Sequence, residues 1–342
     1  MKRGPVILSA LACFVFIALV VLIVAFKPSQ DPLFRGLPES QWIAELKYHD
    51  REQTEAWRGY GDEGVAVLSR AYYRALHPMS IVYRRAYRKV SPLVPTLIAS
   101  KLPQPKGDVT RQMRMRIMSL LTSLGTESLS PLPTVVDALK DEDESVRGSA
   151  ATFFSAGEGE DAPITRIDPN LKAKLLPLFV AALSIRDSTF RNNSAVVLRY
   201  YPEAGEELAP ALLSAMATSK ENHTRMVAAT ALRFVAPERA KRADAVGQVI
   251  EILNYPDDQN SHRAAEWLEK VAGSPELSVP ALIEATTFES SRTASRAARA
   301  LGSFPDWRGT TIPVLENLAA TQTGWMKRYS ELALKRLEES SN

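Results

Sequence analysis

Three glycines at nucleotide-loop spacing are the most pointed chemical signal in this sequence. Gly59, Gly61 and Gly64 in RGYGDEG satisfy GxGxxG, the pattern in which a strand turns tightly onto a helix N-terminus that holds a pyrophosphate. The pattern has meaning only inside a βαβ unit. What precedes it here is HDREQTEAW (49–57), a polar, helix-prone run, and no strand follows. The spacing therefore reads as a loop between helices. His49, His77, His223 and His262 are scattered, none with a second ligand at metal-binding spacing. The acids of 141–144 and of GEGED (157–161) do not follow a calcium-loop pattern and read as solvated turns. GxSxG, HExxH and Cys–His arrangements are absent, and the single cysteine, Cys13, permits no intramolecular disulfide. No catalytic residue, metal or cofactor site is assigned, and the expectation is a protein that is not an enzyme.

Charge is the chemical feature that remains. Residues 70–116 carry Arg and Lys throughout against one acid, Asp108, with Tyr72, Tyr73, Tyr83 and Tyr87 interleaved. Arg84, Arg85, Arg88, Lys89, Arg114 and Arg116 are the candidate contacts to a partner or an anion. That anion is a lipid headgroup, a polyanionic glycan, nucleic acid or an acidic protein. The plain alternative is that the arginine stems lie over apolar surface and pair with neighbouring acids. The following stretch, 126–170, has an acidic excess, so the sign flips along the chain. The formal net charge is +3, of which Lys2 and Arg3 supply two. A remainder so close to neutral does not fit a global nucleic-acid binder.

The elements that must position these residues are written as a repeat. From Pro133 to Phe154 is 21 positions, as it is from Pro177 to Leu198, Pro280 to Leu301 and Pro313 to Leu334. Pro210 to Leu232 is 22, and a copy with glycine in place of proline runs 21 from Gly247 to Leu268. Each unit has an apolar stretch entered through proline, a polar break, and a second stretch with adjacent small residues: Ala150–Ala151, Ser194–Ala195, Ala228–Ala229, Ala264–Ala265, Ala297–Ala298. Self-similarity of this kind marks a solenoid, in which stacked units share one continuous core. The proline at 177 falls inside a helical pattern, so a kink is expected there. The loop 157–170 stretches one period and reads as an insertion on one face.

Residues 5–26, PVILSALACFVFIALVVLIVAF, hold no charge and span roughly 33 Å as a helix, enough for a bilayer core. A cleaved signal has a shorter apolar region and a small-residue cleavage site; AFKPSQ is a poor one. LSALAC (8–13) is faintly like a lipoprotein signal, but the apolar run continues far beyond Cys13. An uncleaved signal anchor is expected, in the inner (cytoplasmic) membrane. Lys2 and Arg3 put the N-terminus in the cytoplasm and the solenoid on the extracytoplasmic side. The expected organisation is a cytoplasmic 1–4, the anchor 5–26, a linker 27–38 and a capping helix and loop 39–64, with Ser40 able to cap the helix. The solenoid then occupies 65–337, and 338–342 form a disordered tail.

LKDEDESVRGSAA (139–151) has an acidic turn and then Val-Arg three residues before the small pair, and Arg191 and Arg225 repeat that offset. In these residues the chain resembles HEAT-type repeats, across about 39–337. GLPESQWIAELK (36–47) additionally looks like the capping segment of membrane-anchored bacterial HEAT proteins. The tetratricopeptide signature is absent. The resemblance implies an all-α fold, a right-handed, armadillo-like α-solenoid of about eight helical hairpins after one transmembrane helix. It also implies that Asp143, Arg147, Asp187, Arg191 and Arg225 form a structural ladder between units. Arg263 and Arg296 depart from that pattern, standing immediately before their small pairs. The expected function is a membrane-anchored scaffold or assembly factor with an unidentified protein partner. The alternatives are a solenoid that binds anionic lipid, glycan or nucleic acid through 70–116, and an enzyme or enzyme subunit of the HEAT-like lyase type.

Overall fold

A computed structural model describes residues 31–76, 107–125, 128–157, 159–255 and 258–340. The segment 5–26 lies outside the described residues, as do Arg84, Arg85, Arg88, Lys89, His77, Tyr83 and Tyr87. Among the described residues no helix is long and apolar enough to cross a membrane.

In chain order, a hairpin of β1 (Leu33–Phe34) and β2 (Leu37–Pro38) leads into α1 (Glu39–Ala44), α2 (Arg51–Arg58), α3 (Gly61–Ala75) and α4 (Gly107–Gly125). The regular array starts with α5 (Leu132–Ala138) and α6 (Glu144–Ser155), followed by a short α7 (Pro163–Arg166). The pairs α8 (Pro169–Ala182)/α9 (Ser188–Leu198) and α10 (Gly205–Thr218)/α11 (Asn222–Val235) come next, then a single turn, α12 (Pro237–Ala240). The last three pairs are α13 (Ala243–Leu253)/α14 (Asp258–Val271), α15 (Pro275–Ala285)/α16 (Ser291–Leu301) and α17 (Arg308–Thr321)/α18 (Gly324–Glu339). Six complete hairpins thus stand among the described residues, an all-α solenoid apart from two two-residue strands. Helix α18 runs through Glu339, so Glu338 and Glu339 belong to its last turn and not to a tail.

Small side chains set the spacing of the second helices. Ala150, Ala151, Ala195, Ala228, Ala229, Ala264, Ala265, Ala297 and Ala298 are all fully buried, and so are the large anchors Phe154, Leu198, Leu232, Leu268 and Leu301. Second helices pack directly on second helices, α4 on α6, α6 on α9, α9 on α11 and α14 on α16. First helices meet one another more sparsely, so the stack bends toward its second-helix side. The close approach reaches backbone at Gly205, where a Cβ would stand 1.8 Å from the carbonyl oxygen of Val235. Gly205→Ala is expected to cost about 1–3 kcal/mol through overpacking. Gly247→Ala, where nothing lies within 4 Å, should be neutral or slightly stabilising in a parallel thermal melt.

Pro177 lies inside a helix as expected, whereas Pro210, Pro280 and Pro313, expected at helix entries, also fall within helices. Pro177, Pro210, Pro280 and Pro313 lie inside α8, α10, α15 and α17, whose first turns precede them. All four point to solvent. A proline within a helix frees the carbonyl one turn earlier, and on the exposed face water can satisfy it. The loop 157–170 is also ordered by burial: Ala162, Ile164 and Ile167 tuck into the core, with α7 between them.

Residues 31–38, expected as linker, form part of the N-terminal cap. Arg35 and Gly36 both have positive φ, 50° and 82°, as the tight turn of a two-residue hairpin requires. The turn drives Phe34, 2% exposed, among Trp42, Trp57 and Tyr60 at centroid distances of 5.6, 5.9 and 5.2 Å. Ser40 does not cap α1; its amide N–H donates to Asp31 Oδ2 at 3.0 Å. The fully buried Glu39 instead accepts from Arg70 Nε at 3.0 Å and from Arg74. At the other end the outer face of α18 is polar, with Lys327–Glu331 and Lys335–Glu339 pairs one turn apart.

Candidate functional site

The glycine pattern resolves into helix geometry. Gly59 ends α2, Gly61 opens α3 with φ +53°, and Gly64 sits within α3 against Trp57 and Tyr60. A helix precedes the pattern where a dinucleotide site needs a strand. His49 lies 3.3 Å from Ser119 Oγ and His223 lies beside Arg263, on different units.

The described arginines of the basic stretch are engaged within the fold. Arg114 is corrected from a surface contact to a core residue: it is 1% exposed, with Nη1 3.3 Å from Asp141 Oδ1. Tyr72 is buried with it, its hydroxyl donating to Asp141 Oδ2 at 2.8 Å. Burial first, and then the Asp141 charge, push the Tyr72 phenol well above its ordinary range. Arg116 donates to the Leu46 carbonyl at 2.9 Å, and Arg111 Nε pairs with Asp143 at 3.0 Å. Arg70 and Arg74 are held by Glu39.

The expected ladder residues fall on the turns inside and between units, with divided roles. Asp143 and Asp187 are helix N-caps; Asp143 accepts from the Ser145 and Val146 amides, Asp187 from Phe190 N at 2.6 Å. The arginines reach backbone carbonyls and acids of the next unit. Arg147 donates to Asp141 O at 2.7 Å and lies over the Phe190 ring. Arg191 joins Ile185 O to Glu221, both at 2.9 Å, and Arg225 joins Met216 O at 2.8 Å to Glu251 at 2.6 Å. Asp187→Ala should therefore cost about 0.5–2 kcal/mol, the price of a lost cap, read as a lowered melting temperature.

A different set of arginines is not engaged by acids in this way. With the second helices aligned on their anchors, the solvent-facing stripe reads Ser149 and Thr152 on α6, then Asn193 and Val196 on α9. It continues as Val227 and Thr230 on α11, Arg263 and Glu266 on α14, and Arg296 and Arg299 on α16. Arg199 and Arg233 immediately follow the anchors Leu198 and Leu232. At the α6 end the face is neutral and self-satisfied: Asn193 Nδ2 donates to Thr152 Oγ1 at 2.8 Å. Toward α14 and α16 it becomes cationic.

Between α9, α11 and α14 this face holds a groove of about 400 Å³. Its floor is apolar, made by the buried Met226, Ala231 and Trp267, and the Trp267 indole N–H is fixed by the Ala229 carbonyl at 2.8 Å. Arg199, Arg233, Arg263 and Lys270 stand around it with one acid, Glu266. Glu266 accepts from Lys270 at 2.8 Å; that bond first, and then the charges of Lys270, Arg296 and Arg299, hold its carboxyl below the usual range. Arg233 lies over the half-exposed Phe234 ring at 4.4 Å, with its Nε buried and unbonded. Burial lowers its pKa, partly offset by the Glu266 charge. Arg263 approaches His223 Nδ1 at 3.4 Å, and burial together with that guanidinium lowers the His223 pKa. Arg199 touches the Tyr200 hydroxyl at 2.6 Å, and Arg296 lies over the Tyr329 ring. Among the described residues none of Arg199, Arg233, Arg263 and Arg296 makes an ion pair, whereas the neighbouring Arg299 and Arg336 are both taken up by Glu269. Half-buried guanidiniums in a concave, low-dielectric wall focus a positive potential on the groove.

Sequence reasoning passed over these residues. Glu266 and Glu269 keep the local charge balance unremarkable, and only their position on the helical face separates the acids from the arginines. The signal was the departure at Arg263 and Arg296 from the ladder offset.

The hairpins, their stacked small-residue helices and this lateral face define a HEAT/armadillo-like helical-repeat protein. No family model and no curated protein matches the sequence. Among solved structures, an engineered protein is similar over 88% of this chain and 88% of its own, at 18% identity and TM-score 0.49. A second engineered protein covers 60% of this chain and 95% of itself at 20% identity and TM-score 0.48. A designed armadillo repeat protein covers 60% and 99% at 17% identity and TM-score 0.46.

Proposed function

We propose that this chain is a non-enzymatic interaction scaffold that binds a protein partner on its second-helix face. The observation that carries the reading is the groove between α9, α11 and α14, where guanidiniums that make no ion pair among the described residues surround an apolar floor with a single acid, Glu266. A mix of apolar contact area and desolvated arginine is what interface centres use. The arginines described in 70–116 are bonded inside the fold, which moves the preferred surface from that stretch to this groove. Membrane attachment through 5–26, with the solenoid on the extracytoplasmic side, rests on the sequence and completes the proposal.

A photo-crosslinking residue placed in the full-length protein at Thr230, in the groove, and separately at Lys174, on the first-helix side, tests it in native membranes. A discrete protein adduct from position 230 that is missing from 174 is the expected result. Equal adducts from both positions, or none from 230, would overturn it.

A further inference from the structure

Resting on the scaffold reading, we infer that the groove takes an extended acidic peptide segment of a partner with a carboxylate at every third residue. The charge requirement comes from Arg199, Arg233, Arg263 and Arg296, which make no ion pair among the described residues, and from the buried, unbonded Nε of Arg233. Carboxylates match guanidiniums in a bidentate fork and form the stronger class of hydrogen bond.

The spacing follows from how the arginines are mounted. Arg199 and Arg233 occupy equivalent positions on the adjacent helices α9 and α11, and Arg263 and Arg296 do so on α14 and α16. Packed helices stand about 8–10 Å apart. A β-strand presents same-side residues every second position, about 6.6–6.8 Å apart, which falls short. A polyproline-type segment has three residues per turn at about 3.1 Å each, so its same-side residues recur at about 9 Å. Within each of these two pairs, carboxylates three residues apart then meet one arginine per helix. The residues between them face the floor of Met226, Ala231 and Trp267, which asks for small or apolar side chains.

Two features favour a peptide over a bilayer or a nucleic acid. Arg199, Arg233 and Arg263 line a hollow of about 400 Å³, with Arg296 beyond it on α16, and a flat lipid surface does not enter such a hollow. Glu266 stands among them, so a uniformly anionic polymer meets a like charge where an alternating segment can place an uncharged residue.

Full-length protein in detergent, titrated into a fluorescent peptide of repeated Glu-Pro-Ala, tests the inference. The comparison peptide has the same composition, with its glutamates gathered into one stretch at alternate positions and the remaining prolines and alanines flanking it. The every-third peptide should bind at least about tenfold tighter, and affinity should fall steeply by about 0.5 M salt. Arg263→Gln, on an exposed side chain, should weaken binding several-fold, and Arg233→Glu with Arg263→Glu should weaken it by about tenfold or more. Lys335→Glu, on the outer face of α18, should leave it unchanged. Circular dichroism melts verify that each variant is folded; if the double variant is not, Arg263→Gln decides. Equal binding of the two peptides, or Arg263→Gln binding as tightly as the parent, overturns the inference. So does capture only by phosphatidylglycerol–phosphatidylcholine vesicles, which would assign the face to lipid. If both peptides fail while the Thr230 adduct persists, the peptide geometry is wrong and the scaffold reading survives.

Discussion

Asp141→Ala should lower stability by about 3–5 kcal/mol, and the loss should centre on the first units. The side chain is fully shielded from solvent and gathers three groups at once. Arg114 lies 3.3 Å from Oδ1, the Asp143 amide donates to Oδ1 at 2.9 Å, and the Tyr72 hydroxyl donates to Oδ2 at 2.8 Å. It thereby ties α3 and α4 to the turn between α5 and α6. Removing it leaves Arg114, 1% exposed, with Glu142, at 4.0 Å and 43% exposed, as its one remaining acid among the described residues. A buried charge without its partner costs far more than the pair contributes. Asp141→Asn separates the parts, since it keeps the acceptor for Tyr72 while deleting the charge, and should recover little. Arg114→Met combined with Asp141→Leu should recover much of the loss, because the unpaired charge disappears with its partner. Chemical denaturation of the four proteins, with hydrogen exchange to localise the effect, measures this. A double variant no more stable than Asp141→Ala would show that the hydrogen bonds, and not the ion pair, hold the turn.

That network illustrates what the sequence does and does not disclose. The repeat was legible because the small pair and the large anchor recur at fixed spacing, and both are buried for that reason at Ala228–Ala229 and Leu232. Charge in 70–116 was legible as composition, but the partners of its arginines lie elsewhere. Glu39 sits 31 positions before Arg70, and a run of basic residues looks the same whether its counter-charges are near in space or absent. Pro210, Pro280 and Pro313 were misplaced by more than a turn because a helix start depends on the residues upstream, and exposure decides whether an internal proline is tolerated. Phe34 was read as linker because the residues that bury it, Trp57 and Tyr60, follow much later in the chain. The groove combined both difficulties. Arg233 and Arg263 come from successive units, and that neither makes an ion pair among the described residues is a fact of three dimensions.

Leu232→Ala should cost about 2–5 kcal/mol, and its position should matter as much as its size. The side chain is fully buried on α11, which packs against α9, α10 and α14. In a stack of units stability is a sum of unit terms and nearest-neighbour terms, so a cavity here weakens the coupling on both sides at once. Unfolding should then separate into two phases, with hydrogen exchange rising across α9 to α14 while the two ends keep their protection. Leu337→Ala is the matched control: Leu337 is 1% exposed but lies in the terminal helix, with one neighbouring unit. It should raise exchange in α17 and α18 and leave a single transition. A single, uniformly shifted transition for both variants would mean that the array unfolds as one cooperative body, and that the coupling between units exceeds what one anchor supplies. The groove sits on the central units, so the first outcome also predicts that Leu232→Ala weakens any ligand held between α9 and α14 without touching a residue that lines the site.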